Sequence, residues 1–88
     1  MRFAVAVEVS LRPGIADPQG ATIERSLPVL GFAGIDRVRT GKAIRFQIEA
    51  DTEAQAQAEV EELCRTFLTN PVIEDAAIRL DTVTGDHG

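Results

Sequence analysis

The sequence contains no tryptophan and no tyrosine, and it has one cysteine and one histidine. Without Trp or Tyr there is no evident aromatic platform on which nucleic-acid bases could stack. One cysteine cannot close an internal disulfide, and no His/Cys cluster has the spacing of a zinc site, so neither staple is open to the chain. Cations are in the minority: 9 Lys and Arg stand against 14 Asp and Glu, for a net charge of −5 at pH 7. That balance argues against general nucleic-acid binding, which needs a basic footprint. No apolar run approaches the ~20 residues of a membrane span. The opening run Met1–Val9 alternates and carries Glu8, so it predicts a strand and not a signal peptide. Together these features lead us to expect a cytoplasmic protein whose thiol stays reduced.

What remains is 88 residues, 44% of them hydrophobic and 26% charged, which predicts one small globular domain. A domain of this size buries only about 60–65% of its unfolded surface, and its core is thin. Oligomerisation is then the usual remaining source of stability. We expect the domain to span residues 1–80 and residues 81–88 to be a flexible tail, since Asp81 to Gly88 is polar and glycine-containing.

The run Arg37–Asp51 organises the chain. Ile44, Phe46, Ile48 and Ala50 alternate with Arg45, Gln47 and Glu49, the period-2 signature of a strand with one buried face. Thr40-Gly41-Lys42 precedes it and could reverse the chain, with Asp36–Thr40 as a short partner strand in a β-hairpin. The first strand is predicted over Arg2–Leu11, burying Phe3, Val5, Val7, Val9 and Leu11. Its other face, with Ala4, Ala6 and Glu8, is either solvated or covered by another protomer.

Asp17-Pro18 starts a helix, Asp as N-cap and Pro at the first turn. Ile23, Leu27 and Leu30 are spaced to be buried, and Pro28 predicts a kink or end near Ser26–Leu27. Phe32, between Gly31 and Gly34, is expected to plug the core. Thr52 with Gln55 fits a capping box for a second helix running to about Thr69. Its apolar stripe would be Ala56, Val60, Leu63, Cys64, Phe67 and Leu68, with Glu61 and Arg65 paired on the wet side. Asn70-Pro71 stops it, and Val72–Asp81 is the last strand, with Ala76, Ile78 and Leu80 inward. The order β-α-β-β-α-β predicts an α+β fold: a two-layer, ferredoxin-like sandwich with a four-stranded antiparallel sheet and both helices on one face.

No catalytic set emerges. His87 lies in the tail, where nothing would position it as a base. Cys64 lies on an apolar stripe with no histidine to activate it, and reads as a core thiol. Gly41-Lys42 lacks the upstream glycine and the following hydroxyl residue of a phosphate loop. The acidic residues of the second helix have no metal-ligand spacing. Arg12, Arg39 and Lys42 lie at or near turns, as ordinary surface charge or as a basic edge for an acidic partner or phosphate.

Several runs together resemble the PurS family. They are Leu11-Arg12-Pro13-Gly14, Asp17-Pro18-Gln19-Gly20 with Thr22-Ile23, Leu30-Gly31-Phe32, Val38-Arg39-Thr40-Gly41-Lys42, Glu49-Ala50-Asp51-Thr52, and Asn70-Pro71-Val72-Ile73-Glu74-Asp75. Leu63-Cys64 and Leu68 match as well, so the likeness covers about Phe3 to Leu80 in order. Pro28 and Ala76 depart from it, where the family usually has a helix former and often a tyrosine. The resemblance implies the small, non-catalytic subunit of phosphoribosylformylglycinamidine (FGAM) synthase, a glutamine-dependent, ATP-consuming C–N ligase of purine biosynthesis. It implies a dimer, possibly a tetramer, that bridges a PurL-type synthetase and a PurQ-type glutaminase and assists ammonia transfer. It implies no cofactor on this chain, ATP and Mg²⁺ being used by the synthetase. Position at turns together with the matching runs makes Arg12, Arg39, Gly41, Lys42, Asn70 and Pro71 the expected partner contacts. The alternative is a dimeric small-molecule-binding regulatory module, for which this strand and helix order would also serve. It leaves the matching runs unexplained.

Overall fold

In the computed structural model, residues 1–83 are described. The element order is β1 (Arg2–Leu11), α1 (Pro18–Ser26), β2 (Gly41–Glu49), α2 (Glu53–Leu63), a π-helical turn (Cys64–Leu68) and β3 (Glu74–Thr82). Three strands form one antiparallel sheet in the order β2-β1-β3. Asp81 and Thr82, expected in the tail, instead pair with Ala4 and Phe3 in β3, and the rest of the expected tail, residues 84–88, lies outside the described residues. His87 lies outside the described residues.

β1 is central because it is the most apolar strand. Phe3, Val5, Val7 and Val9 are all buried, as the alternation predicts. α2 and the π-helical turn cover this face with Ala56, Val60 and Cys64, spaced i, i+4, i+8. Its start follows the expected capping chemistry: Thr52 accepts from the Gln55 N–H, and Gln55 Oε1 accepts from the Asp51 N–H. The wet-side pair is Arg65 with Glu62, not with Glu61, which instead accepts from Gln57.

The expected hairpin is absent. Residues 36–40 form no strand, and Gly41 opens β2 opposite Ser10. The reason is where the backbone donors go. The Val38 N–H donates to Glu24 at 3.1 Å and the Thr40 N–H to Asp17 at 2.6 Å, so α1 consumes the groups a fourth strand would pair. Nor is Gly41 needed for a positive φ: a Cβ there would lie 2.5 Å from the Val9 carbonyl oxygen. Close strand approach, and not turn formation, requires the glycine.

Two apolar predictions also fail. α1 ends at Ser26, as Pro28 requires, but it does not cover the sheet. Ile23 is 41% exposed, Leu30 69% and Phe32 55%, so Phe32 does not plug the core. Gly20 is the only buried residue of α1. Meanwhile Ile44, Phe46 and Ile48 on β2 stay half-buried. The second failure is Phe67, 80% exposed. In an unbroken α-helix it would share a face with Val60 and Cys64. The π-turn, closed by the Thr69 N–H on the Cys64 carbonyl, inserts one extra residue, and Leu68 takes the inward place.

Candidate partner-contact site

The residues expected to meet partners gather at one end of the sheet, where β1 finishes and β2 and β3 begin. The site has two halves.

The first half lies between α1 and β2. Asp17 caps α1 by accepting the Gly20 N–H at 2.9 Å. A carboxylate has more acceptor capacity than a cap uses. The rest goes to Thr40, whose N–H donates at 2.6 Å and whose hydroxyl donates at 2.9 Å. Asp17 is buried, and it is the only buried charged residue among those described. Its carboxyl is held below the ordinary value of 3.8, first by the Thr40 N–H, then by that of Gly20, with the Thr40 hydroxyl and the Arg39 charge adding to them. Gly20 is needed for space: a Cβ would sit 2.5 Å from the Val38 carbonyl oxygen. Arg39 donates to the Ile15 carbonyl at 3.0 Å and so helps fasten the strap Val38–Thr40 to the loop before α1. Lys42, the next cation, is exposed, and its ammonium makes no hydrogen bond or ion pair among the described residues. It lines a cleft of about 490 Å³ with Ser10, Gln19, Thr40, Gly41 and Glu74.

The second half lies between β1 and β3. The Arg12 N–H donates to the Ile73 carbonyl at 2.8 Å, and its guanidinium lies 3.4 Å from Asp75. Asn70 organises the turn: its side chain accepts from the Val72 N–H, and its carbonyl accepts from Ile73 and Glu74. Glu74 returns the contact by accepting the Asn70 N–H at 2.7 Å. This leaves Pro71 and Val72 pointing outward, Val72 being 78% exposed. A groove of about 240 Å³ runs beside Arg12, Cys64, Arg65, Pro71 and Glu74. Glu74 thus lines both halves.

Burial and the nearby Glu61 push the Cys64 thiol up, away from the reactive thiolate. Among the described residues no group of three His, Cys, Asp or Glu side chains could hold a metal ion. Of the six residues expected to meet partners, Lys42 and Pro71 are presented outward. Arg12, Arg39 and Asn70 are engaged in shaping their turns, and Gly41 serves the sheet. Sequence reading missed Thr40, Glu24 and Glu74. The signal for Thr40 was the spare capacity of the capping Asp17.

The family model described as "PurS: Phosphoribosylformylglycinamidine (FGAM) synthase" matches residues 4–82. The chain belongs to the PurS family. The PurS subunit of Methanocaldococcus jannaschii is 37% identical over 81 residues, covering 92% of this chain and 98% of the relative. That of Bacillus subtilis is 32% identical over 81 residues, covering 92% and 95%. Among solved structures, M. jannaschii PurS, described as one of the subunits of formylglycinamide ribonucleotide amidotransferase, superposes with a TM-score of 0.83 at 36% identity, covering 93% of this chain and 99% of that one. A chain of the PurLQS structure from Thermotoga maritima gives a TM-score of 0.85 at 34% identity, covering 91% and 98%. The α+β fold is therefore the PurS fold.

Proposed function

We propose that this chain is the small, non-catalytic subunit of an FGAM synthase, and that the sheet end carrying Lys42 and Pro71 seats its PurL-type and PurQ-type partners. The observation that carries the reading is the near full-length likeness to a PurS chain solved as part of PurLQS. The outward cation and the ordered turn at one end of the sheet supply a surface suited to it.

The partners do the chemistry. The glutaminase releases ammonia from glutamine. The synthetase, consuming ATP with Mg²⁺, uses that ammonia to replace the amide oxygen of formylglycinamide ribonucleotide and form the amidine. Ammonia released into neutral water is mostly protonated and loses its nucleophilicity. A subunit that seals the junction keeps it neutral and local, an effective-concentration gain. This chain contributes water exclusion and geometry, with no cofactor of its own. Such a role places it in the cytoplasm with the pathway, and no described helix is long and apolar enough to cross a membrane.

The working unit in this reading is a dimer. The radius of gyration is 17.0 Å. A compact domain of this length would have ~12 Å. The excess comes with α1, which stands off its own sheet with Ile23, Val29, Leu30 and Phe32 exposed. A second copy's α1 over Ile44, Phe46 and Ile48 would complete the ferredoxin-like layering, two helices on one face, between protomers.

The test is co-elution with the two partner subunits. Lys42→Ala should weaken capture while leaving unfolding and self-association as in wild type. Undiminished capture of both partners would remove Lys42 from the interface. The regulatory-module alternative predicts a ligand-dependent rise in Tm for the isolated chain in an amino-acid screen, which this reading does not.

A further inference from the structure

The α1 arm is fastened to its own protomer mainly by polar contacts, and most of them converge on the strap Val38–Thr40. Glu24 of α1 accepts the Val38 N–H, Arg39 donates to the Ile15 carbonyl, and Asp17 accepts both the N–H and the hydroxyl of Thr40. The strap runs directly into Gly41 and Lys42 at the start of β2. Apolar packing does not fix the arm, since only Gly20 is buried along α1.

We propose that Asp17 is a positioning residue for partner docking: by holding Gly20 and Thr40 at once, it sets the direction of the α1 arm against the strand end that carries Lys42. This rests on the reading that the Lys42 end is the docking surface. Asp17 ties the two elements at one carboxylate, beside the single contacts made by Glu24 and Arg39. Its hydrogen bonds come from both of them, and its burial shields those bonds from water. Asp17 need not touch a partner. It acts through the arm and the strap.

The test compares Asp17→Asn, Thr40→Val and Thr40→Ser with wild type for capture by the PurL-type and PurQ-type subunits. Hydrogen exchange is followed in the free chain at residues 18–26 and 38–42. Thr40→Ser keeps both donors and should bind within about twofold of wild type. Asp17→Asn and Thr40→Val should bind at least about tenfold more weakly. They should also exchange faster in the arm and strap while β1 stays protected. Val60→Ala serves as the control for mere destabilisation, since it loosens the core far from the clasp. The inference is overturned if Asp17→Asn binds like wild type, if Thr40→Ser binds as weakly as Thr40→Val, or if Val60→Ala with an equal loss of Tm binds as weakly. If wild type itself is not captured, the docking reading fails first. If wild type is captured but the exchange pattern of Asp17→Asn is unchanged, the clasp alone fails.

Discussion

Leu30→Ala separates folding from self-association. Leu30 follows α1 and is 69% exposed in the protomer, so trimming it costs the isolated fold little. Burying a whole leucine side chain is worth about 1.5–3 kcal/mol. With most of the side chain still exposed, about 1–2 kcal/mol remains to be gained at an interface. A two-fold dimer uses the same residue from both copies, which doubles the loss to about 2–4 kcal/mol. At about 1.4 kcal/mol per tenfold, dissociation should strengthen by about 30-fold to several hundredfold. Sedimentation equilibrium over a dilution series measures this directly. The wild type should remain dimeric where Leu30→Ala is largely monomeric, with the circular dichroism of both alike. An unchanged dimer constant would refute the claim that the α1 arm is buried by a second copy. So would a wild type that is monomeric at every concentration, with its exposed apolar arm left in water.

Val60 is fully buried among Val5, Val7, Val9 and Cys64, so Val60→Ala should cost about 2–3 kcal/mol through lost transfer and a residual cavity. The corresponding fall in Tm is about 10–20 °C. Gly41→Ala should destabilise by about 1–3 kcal/mol in denaturant, because its Cβ would press on the Val9 carbonyl at 2.5 Å and push β2 from β1. Asp17 gives a pH dependence of known sign. Its folded carboxyl titrates below the ordinary 3.8, so its contribution is present above that pH and is lost as pH falls through the lower folded value. Acid unfolding of Asp17→Asn should accordingly lack that component, and a curve identical in shape to wild type would contradict it.

Local patterns were legible and distant ones were not. The alternation of β1 reports its own burial, so Phe3 through Val9 could be read directly. Asp17-Pro18 and Thr52 with Gln55 announce helix starts because caps act over three residues. The absence of the expected hairpin has a non-local cause: carboxylates on Asp17 and Glu24 take the backbone donors of residues 40 and 38. Periodicity places Phe67 inward because it assumes an unbroken α-helix, and the π-turn shifts the phase by one residue. The apolar spacing of Ile23, Leu27 and Leu30 signals burial, yet Ile23 and Leu30 are exposed, because spacing along a helix does not say what surface lies opposite it. At the site, the expected cations proved to be of two kinds. Lys42 faces outward, whereas Arg12 and Arg39 hold their own turns.

Reconstitution of the synthase tests whether this chain bridges the two partner subunits. Amidine formation is followed with the PurL-type and PurQ-type subunits, with and without this chain, using glutamine or a high concentration of ammonia as nitrogen donor. Activity with glutamine should require the chain, while activity with ammonia should largely not. Glutamine-dependent activity that is indifferent to the chain would contradict the bridging role.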